Sequence, residues 1–168
     1  MMITVKNNAP VLDAALQKVP SEEQKIHRVC FVCTGNTCRS PMAAALYNYL
    51  HEDEPTEACS AGLSVFPGEP IALNALLALK GRGVISSAKN NYEAHEATPF
   101  SPELLDRVDD VYALSSRHYM ALCISYPEDV QKFHLLGEIA DPYGASLDRY
   151  QQTLAEIEEA FYVQFRKS

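Results

Sequence analysis

A polar loop joins an apolar run to a helical pattern in the segment Cys30-Phe-Val-Cys-Thr-Gly-Asn-Thr-Cys-Arg-Ser-Pro41. The apolar run from Ile26 to Val32 predicts a buried strand, and Pro41 suits the first turn of the helix that follows the loop. A loop between a strand and a helix N-terminus directs several backbone N–H groups into one space, where the helix dipole favours an anion. We therefore expect an anion-binding site in this segment.

The loop also carries the side chains that phosphate chemistry needs. Gly35 and Asn36 both tolerate the positive φ angle of an anion-binding nest. Arg39 supplies a planar fork that holds two phosphate oxygens at once. Cys33 lies at the mouth of the loop, where an electropositive site stabilises a nucleophilic thiolate, and Ser40 can donate a hydrogen bond to that thiolate. One loop thus offers both an oxyanion cradle and a nucleophile.

Strands and helices alternate along the rest of the chain. We expect further strands at 57–61, 108–114 and 133–136, and helices at 42–51, 71–80, 101–105, 116–125 and 146–166. This order predicts an α/β fold of three layers, in which helices flank a four-stranded parallel sheet. Ligands of such sheets bind at the carboxyl ends of the strands. Cys33, after the first strand, and Asp141, after the fourth, are expected to meet there.

Composition excludes several classes of function. The 168 residues fit a single domain, and a net charge of −8 disfavours binding to nucleic acid, which requires clustered Lys and Arg. No apolar run approaches the roughly 20 residues of a membrane span, and the N-terminus lacks the apolar centre of a signal peptide. Five cysteines without the spacing of a disulfide framework are typical of a reducing compartment. We expect a cytoplasmic protein that binds neither nucleic acid nor membrane.

Residues 1–24 form an N-terminal extension to a domain expected at 25–168. Within the extension, Val11 to Val19 has helical apolar spacing and is bounded by prolines, which predicts a short helix. Three roles fit this segment: packing on the domain, mediating self-association, or extending as a partly ordered arm. The sequence does not specify an oligomeric state.

The loop string from Cys33 to Pro41 resembles the phosphate-binding loop of the low-molecular-weight protein phosphatases. A second match is Asp141-Pro-Tyr-Gly144, where that family carries its general acid. Smaller matches are Ser60-Ala-Gly62 and Ser146-Leu-x-x-Tyr150, and the resemblance covers about residues 26–165. The family also carries a Gly-Ile/Val-x-x-Ser-x-His-x-Ala/Ser-Arg pattern. Here Gly83-Val-Ile-Ser-Ser87 matches its start, but the His–Arg portion does not align.

The resemblance implies a protein phosphatase that works through a cysteinyl-phosphate. Cys33 would attack phosphorus, Arg39 and the loop N–H groups would stabilise the equatorial oxygens, and Asp141 would act as general acid and then as general base. Phosphate would be bound by Thr34, Gly35, Asn36, Thr37, Cys38, Arg39 and Ser40. The expected partners are a phosphorylated protein and, in the loop, inorganic phosphate or sulfate. No cofactor is implied, and the five histidines have no ligand spacing that predicts a metal site.

Two positions in the loop admit more than one interpretation. Cys38 is either a small packing residue or, as the resemblance implies, a redox partner that traps oxidised Cys33 in a reversible disulfide. Tyrosine-directed members carry an apolar Ile at the position of Thr37, whereas a Thr resembles the bacterial protein-arginine phosphatases. The hydroxyl can orient a water or a guanidinium, with Asp141 pairing the cation. We favour phosphoarginine over phosphotyrosine, with Thr37 and Tyr143 as the selectivity residues.

Other proteins use a similar loop. A thioredoxin-coupled arsenate reductase shares the expected fold, but it needs further cysteines to relay a disulfide outwards, and the chain has none between Cys59 and Cys123. A non-catalytic phosphate-binding module would be favoured if Cys33 or Asp141 were replaced, and both are present. A sugar-transport component with this loop would lack the downstream Asp-Pro. The sequence therefore predicts a phosphatase.

Overall fold

A computed structural model describes residues 24–166 of the chain. Four parallel strands form one sheet in the order β2-β1-β3-β4, with β1 at His27–Cys33, β2 at Thr56–Gly62, β3 at Asp110–Ala113 and β4 at Phe133–Leu135. The helices are α1 at Arg39–Leu50, α2 at Leu73–Arg82, α3 at Pro102–Arg107, α4 at Ser116–Ser125 and α5 at Leu147–Gln164. The predicted four-stranded parallel sheet with flanking helices is confirmed. The helix expected at 11–19 lies outside the described residues.

β1 forms the centre of the sheet and contributes to the core on both faces. Phe31 and Cys33 belong to the core beneath α1, α2 and α5, whereas Cys30 and Val32 belong to the core beneath α3 and α4. Each of these side chains is at most 3% exposed. A strand covered on both faces needs an unbroken apolar sequence, which explains why this segment does not alternate with polar residues.

Serine side chains set the starts of three helices. Ser101, Ser115 and Ser146 each accept a hydrogen bond from the backbone N–H three residues further on. At the C-terminal end of α2, Gly83 takes a φ of 89°, a conformation that a residue with a side chain adopts only at a cost in free energy.

The loop that carries the candidate site residues lies where the chain leaves two adjacent strands toward opposite faces of the sheet. α1 follows β1 and packs on one face of the sheet, and α4 follows the neighbouring β3 and packs on the other. This divergence opens a crevice at the carboxyl ends of the two strands. Among the described residues, no helix combines the length and the apolar character that a bilayer span requires.

Candidate active site

The loop between β1 and α1 curls around one point because hydrogen bonds keep its carbonyl groups on the outer side of the curve. Carbonyl oxygens accept hydrogen bonds at Cys33, Thr34, Asn36, Thr37 and Cys38. The donors are four backbone N–H groups, at 2.9 to 3.1 Å, and the ring of His95, at 2.7 Å. In a trans peptide the N–H points opposite to the C=O, so the N–H groups that follow these carbonyls face the inside of the loop. The predicted cradle of N–H groups follows from this arrangement.

Asn36 provides the left-handed turn of the cradle. Its φ is 58°, and it is the non-glycine residue with a positive φ in the part of the chain that the structure describes. We expected Gly35 to share this conformation, but the φ of Gly35 lies outside the left-handed region. A Cβ atom at Gly35 would meet nothing within 4 Å. The backbone at Gly35 thus faces open space, and the residue contributes no left-handed turn.

The buried side chain of Asn36 joins the loop to its surroundings. Its Oδ1 accepts the backbone N–H of Thr98 at 2.9 Å, and because an N–H can only donate, this contact fixes the orientation of the amide. Its Nδ2 donates to Ser40 Oγ at 2.7 Å and to Ser60 Oγ at 3.0 Å. The loop, the start of α1 and the end of β2 are thus held by one amide.

Cys33 lies at the floor of the loop beside Ser40. The distance between Cys33 Sγ and Ser40 Oγ is 2.9 Å. Because Asn36 already donates to Ser40 Oγ, the proton of the Ser40 hydroxyl is available to the sulfur; the competing acceptor, the Ala61 carbonyl, is more distant at 3.4 Å. A hydroxyl that donates to sulfur stabilises the thiolate form of Cys33.

Arg39 lines the same site and carries an unpaired buried donor. Its side chain is 8% exposed, and Nη1 donates to the Ile139 carbonyl at 3.1 Å. Its Nε is buried and has no hydrogen-bond partner, unlike every other buried side-chain nitrogen or oxygen in residues 24–166. Leaving a buried donor unpaired costs about 1–3 kcal/mol. An oxyanion bound in the loop would offset this cost.

Asp141 faces Arg39 from the loop that follows β4. Asp141 Oδ2 lies 3.6 Å from Arg39 Nη2, and Oδ1 accepts the backbone N–H of Tyr143 at 3.1 Å. This local turn aims the carboxylate at the mouth of the cradle, while 52% of its side chain stays exposed. The structure therefore brings the two distant sequence motifs together, as the parallel fold predicts.

These groups line one pocket of about 240 Å³. Its floor and walls include every predicted site residue from Cys33 to Arg39, together with Asp141 and Tyr143, while Ser40 lies beneath the floor. Phe66 and Tyr143 stand at its rim, and each is 77% exposed. A larger cleft of about 1070 Å³, which we call the far cleft, is lined by residues at the beginning of β1 and shares no lining residue with this pocket.

Sequence reasoning missed two histidines that support the loop. His118 Nε2 lies 2.8 Å from Thr34 Oγ1, and its Nδ1 lies 2.8 Å from Ser115 Oγ. Burial, followed by the nearby charge of Arg39, lowers the pKa of His118 to about 4, so its ring is neutral at pH 7. Burial also lowers the pKa of His95, whose Nε2–H donates to the Asn36 carbonyl.

A signal for His95 was present in the sequence. The string His95-Glu-Ala97 carries the His-x-Ala of the family pattern after a longer connection from Gly83. No comparable string marks His118. Within the described residues, no group of three or more His, Cys, Asp or Glu side chains is placed to hold a metal ion.

Comparison with known proteins places the chain in a family. The sequence model described as low molecular weight phosphotyrosine protein phosphatase matches residues 28–167. A protein-arginine-phosphatase of Geobacillus stearothermophilus is 34% identical over 141 residues, which are 79% of this chain and 89% of the relative. A low molecular weight protein-tyrosine-phosphatase of Streptomyces coelicolor is 34% identical over 154 residues, 80% and 88% of the two chains. The low molecular weight protein tyrosine phosphatase of T. tengcongensis matches with a TM-score of 0.76 and 32% identity over 84% of this chain and 99% of that one. The chain therefore belongs to the low-molecular-weight phosphotyrosine protein phosphatase family.

Proposed function

We propose that this protein hydrolyses phosphorylated side chains of other proteins through a phosphocysteine at Cys33. The observation that carries the proposal is the contact of 2.9 Å between Cys33 Sγ and Ser40 Oγ, at the floor of a pocket that is also lined by Arg39, whose buried Nε has no hydrogen-bond partner. A nucleophile, its activating donor and an oxyanion-binding group thus meet in one place. Membership of a phosphatase family supports the same chemistry.

The proposed reaction has two steps. The Cys33 thiolate attacks phosphorus, the bond to the leaving group breaks, and Asp141 transfers a proton to that group. Arg39 and the N–H groups of the loop stabilise the charge on the three equatorial oxygens. In the second step Asp141 takes a proton from water, which attacks phosphorus, and the sulfur leaves as a thiolate that Ser40 stabilises.

For the substrate, we propose phosphoarginine. The half-buried Thr37 and the half-exposed carboxyl group of Asp141 both line the pocket, and both offer oxygens that can accept hydrogen bonds from the N–H groups of a guanidinium. The relative from G. stearothermophilus is named for this activity. Phosphotyrosine is the second candidate, because the exposed rings of Phe66 and Tyr143 at the rim can pack against a phenyl group.

The test compares turnover of two peptides of one sequence that carry either phosphoarginine or phosphotyrosine. We expect kcat/KM to be higher for phosphoarginine, and Thr37→Ile to lower it more for phosphoarginine than for phosphotyrosine. Cys33→Ser is the blank and should be inactive on both. A preference for phosphotyrosine would overturn the arginine assignment and leave the phosphatase. Binding of inorganic phosphate without turnover of either peptide would instead support a non-catalytic module.

We also propose that Cys38 protects Cys33 from irreversible oxidation. Its sulfur lies 3.2 Å from the Tyr150 hydroxyl, and burial raises the pKa of Cys38, which keeps it a thiol beside the reactive Cys33. After peroxide converts Cys33 to a sulfenic acid, the Cys38 sulfur would attack it and release water. Dithiothreitol should then restore activity to the peroxide-treated protein but not to Cys38→Ala. Equal recovery of both proteins would assign Cys38 to packing alone.

A further inference from the structure

A second pair of thiols lies on the face of the sheet that Cys33 does not reach. Cys30 of β1 and Cys59 of β2 are direct partners in the parallel register, so their side chains leave the sheet on the same face. Cys30 is fully buried in the core beneath α3 and α4, and Cys59 packs against that core. Cys33 and Cys38 belong to the core of the opposite face. The two pairs are therefore separated by the sheet itself.

The geometry of the pair suits a disulfide. Neighbouring strands lie about 4.8 Å apart, which falls within the Cα separation of about 4.4–6.8 Å that disulfides span. Both cysteines are free thiols in this structure. The interaction between the two side chains is the largest cause of a raised pKa at Cys30 and of a lowered pKa at Cys59. The Cys30 thiol donates to the Phe31 carbonyl at 3.8 Å, so of the two sulfurs Cys59 is the one that loses its proton more readily.

Cys59 is also the sulfur that a reagent can reach. It is partly exposed and lines the far cleft of about 1070 Å³, away from the catalytic pocket. Burial and the charge of Glu57 act to raise the pKa of Cys59, whereas the charge of Arg107, on the same cleft, adds to the net lowering. A small neutral oxidant can enter a cleft of this size and reach the Cys59 sulfur before the buried thiol of Cys30.

We propose that Cys30 and Cys59 form a peroxide-sensitive dithiol that closes to a disulfide between β1 and β2. The Cys59 thiolate attacks one oxygen of hydrogen peroxide, the O–O bond breaks, and the released hydroxide takes up a proton to become water. The Cys30 sulfur then attacks the sulfur of the Cys59 sulfenic acid, and its proton leaves with the hydroxyl as a second water. Two thiols are oxidised and one peroxide is reduced.

The test uses the full chain with Cys33→Ser, Cys38→Ser and Cys123→Ser, which retains only the proposed pair. After treatment with hydrogen peroxide, we expect the intact mass to fall by two hydrogens and both thiols to disappear together in a titration of the denatured protein. Digestion should yield one linked pair of peptides, containing Cys30 and Cys59. Dithiothreitol should restore both thiols.

Two matched variants in the same background separate the roles of the two sulfurs. Cys59→Ser should leave Cys30 unmodified, because the buried thiol has lost its reactive neighbour. Cys30→Ala should leave a sulfenic acid at Cys59, which dimedone labels. Persistence of both thiols in the two-cysteine protein, oxygen addition at Cys59 while Cys30 stays reduced, or a disulfide between two chains would each overturn the proposal. If Cys30→Ala fails to fold, Cys59→Ser provides the control.

Discussion

Ser40 has no exposed surface, and the proposed chemistry depends on it through its contact with Cys33. A hydrogen bond to a charged group contributes about 1.5–3 kcal/mol. We therefore expect Ser40→Ala to lower kcat by roughly 10- to 100-fold while KM changes little, because the lost contact is to the nucleophile and not to substrate. Ser60→Ala is the matched control, since Ser60 also accepts from Asn36 but, within residues 24–166, makes no hydrogen bond to Cys33. Equal losses of kcat in the two variants would contradict a specific role for Ser40.

His118 makes stability depend on pH. Its pKa falls from 6.5 to about 4 on folding, mainly through burial, so between these values the unfolded chain binds a proton that the folded chain does not. The free energy of unfolding should therefore decrease as the pH falls through this range, by at most about 1.4 kcal/mol per pH unit. His118→Gln removes this titration and should flatten the decrease. Urea unfolding across the range measures both slopes, and identical slopes would contradict the assignment.

The two motifs that carry the chemistry were predictable because each is a short contiguous string. Cys33 and Arg39 stand at fixed places around one loop, and Asp141 follows the last strand of a parallel sheet, so the fold alone brings them together. The supporting contacts of His95 and His118 are not of this kind. They join segments about 59 and 84 positions apart in the chain; a displaced His-x-Ala string is the only local sign of the first contact, and none marks the second.

At the scale of an element, the end of β2 is pressed against the phosphate loop at Gly62. A Cβ atom there would lie 2.5 Å from the Thr34 carbonyl oxygen and 2.5 Å from Val65 Cγ2. We expect Gly62→Ala to lower stability by about 1–3 kcal/mol and kcat/KM by at least about tenfold, because the loop backbone must move. Gly81→Ala, inside α2 with its nearest neighbour at 3.6 Å, should instead raise stability by about 0.5–1 kcal/mol and leave activity unchanged.

Urea unfolding and peptide turnover, measured on both glycine variants, test this contrast. A Gly62→Ala protein with normal activity would show that the close approach of β2 to the loop is not needed.

Helices that have a clear N-cap residue and apolar residues at helical spacing were predicted well from the sequence. α4 occupies Ser116–Ser125 as expected, and Ser115 caps it. The segment 84–98 was not predictable in the same way. Residues 87–90 form the turn that their polarity suggests, closed by backbone hydrogen bonds between Ser87 and Asn90, but Asn90 itself is buried and donates to the Ala45 carbonyl at 2.9 Å, a tertiary contact that no local pattern indicates.

At the scale of the whole molecule, Phe31 connects the central strand to the helices. Its fully buried ring lies 5.4 Å from the ring of Phe161 and 5.7 Å from those of Tyr47 and Tyr112. We expect Phe31→Ala to cost about 3–5 kcal/mol in urea unfolding. Phe66→Ala removes an equal side chain that is 77% exposed, so its stability should change by less than about 0.5 kcal/mol while KM rises at the pocket rim. Similar unfolding midpoints for the two variants would contradict this description of the core.

The alternation of strands and helices predicted the parallel sheet but not its order. A pattern of apolar runs does not specify which strands are neighbours, and the order β2-β1-β3-β4 became known only from the structure. The N-terminal extension at 1–24, the domain boundary at residue 25 and a cytoplasmic location stay predictions.

The most direct test of the account is to trap the phosphocysteine. In Asp141→Asn, p-nitrophenyl phosphate still phosphorylates the enzyme, because its leaving group needs no proton, but the second step lacks its base. The prediction is a burst of nitrophenol that matches the enzyme concentration, followed by slow turnover, with the phosphoryl group found by mass spectrometry on the peptide that contains Cys33. Release of phosphate without a burst and without label on Cys33, or turnover that survives Cys33→Ser, would contradict it.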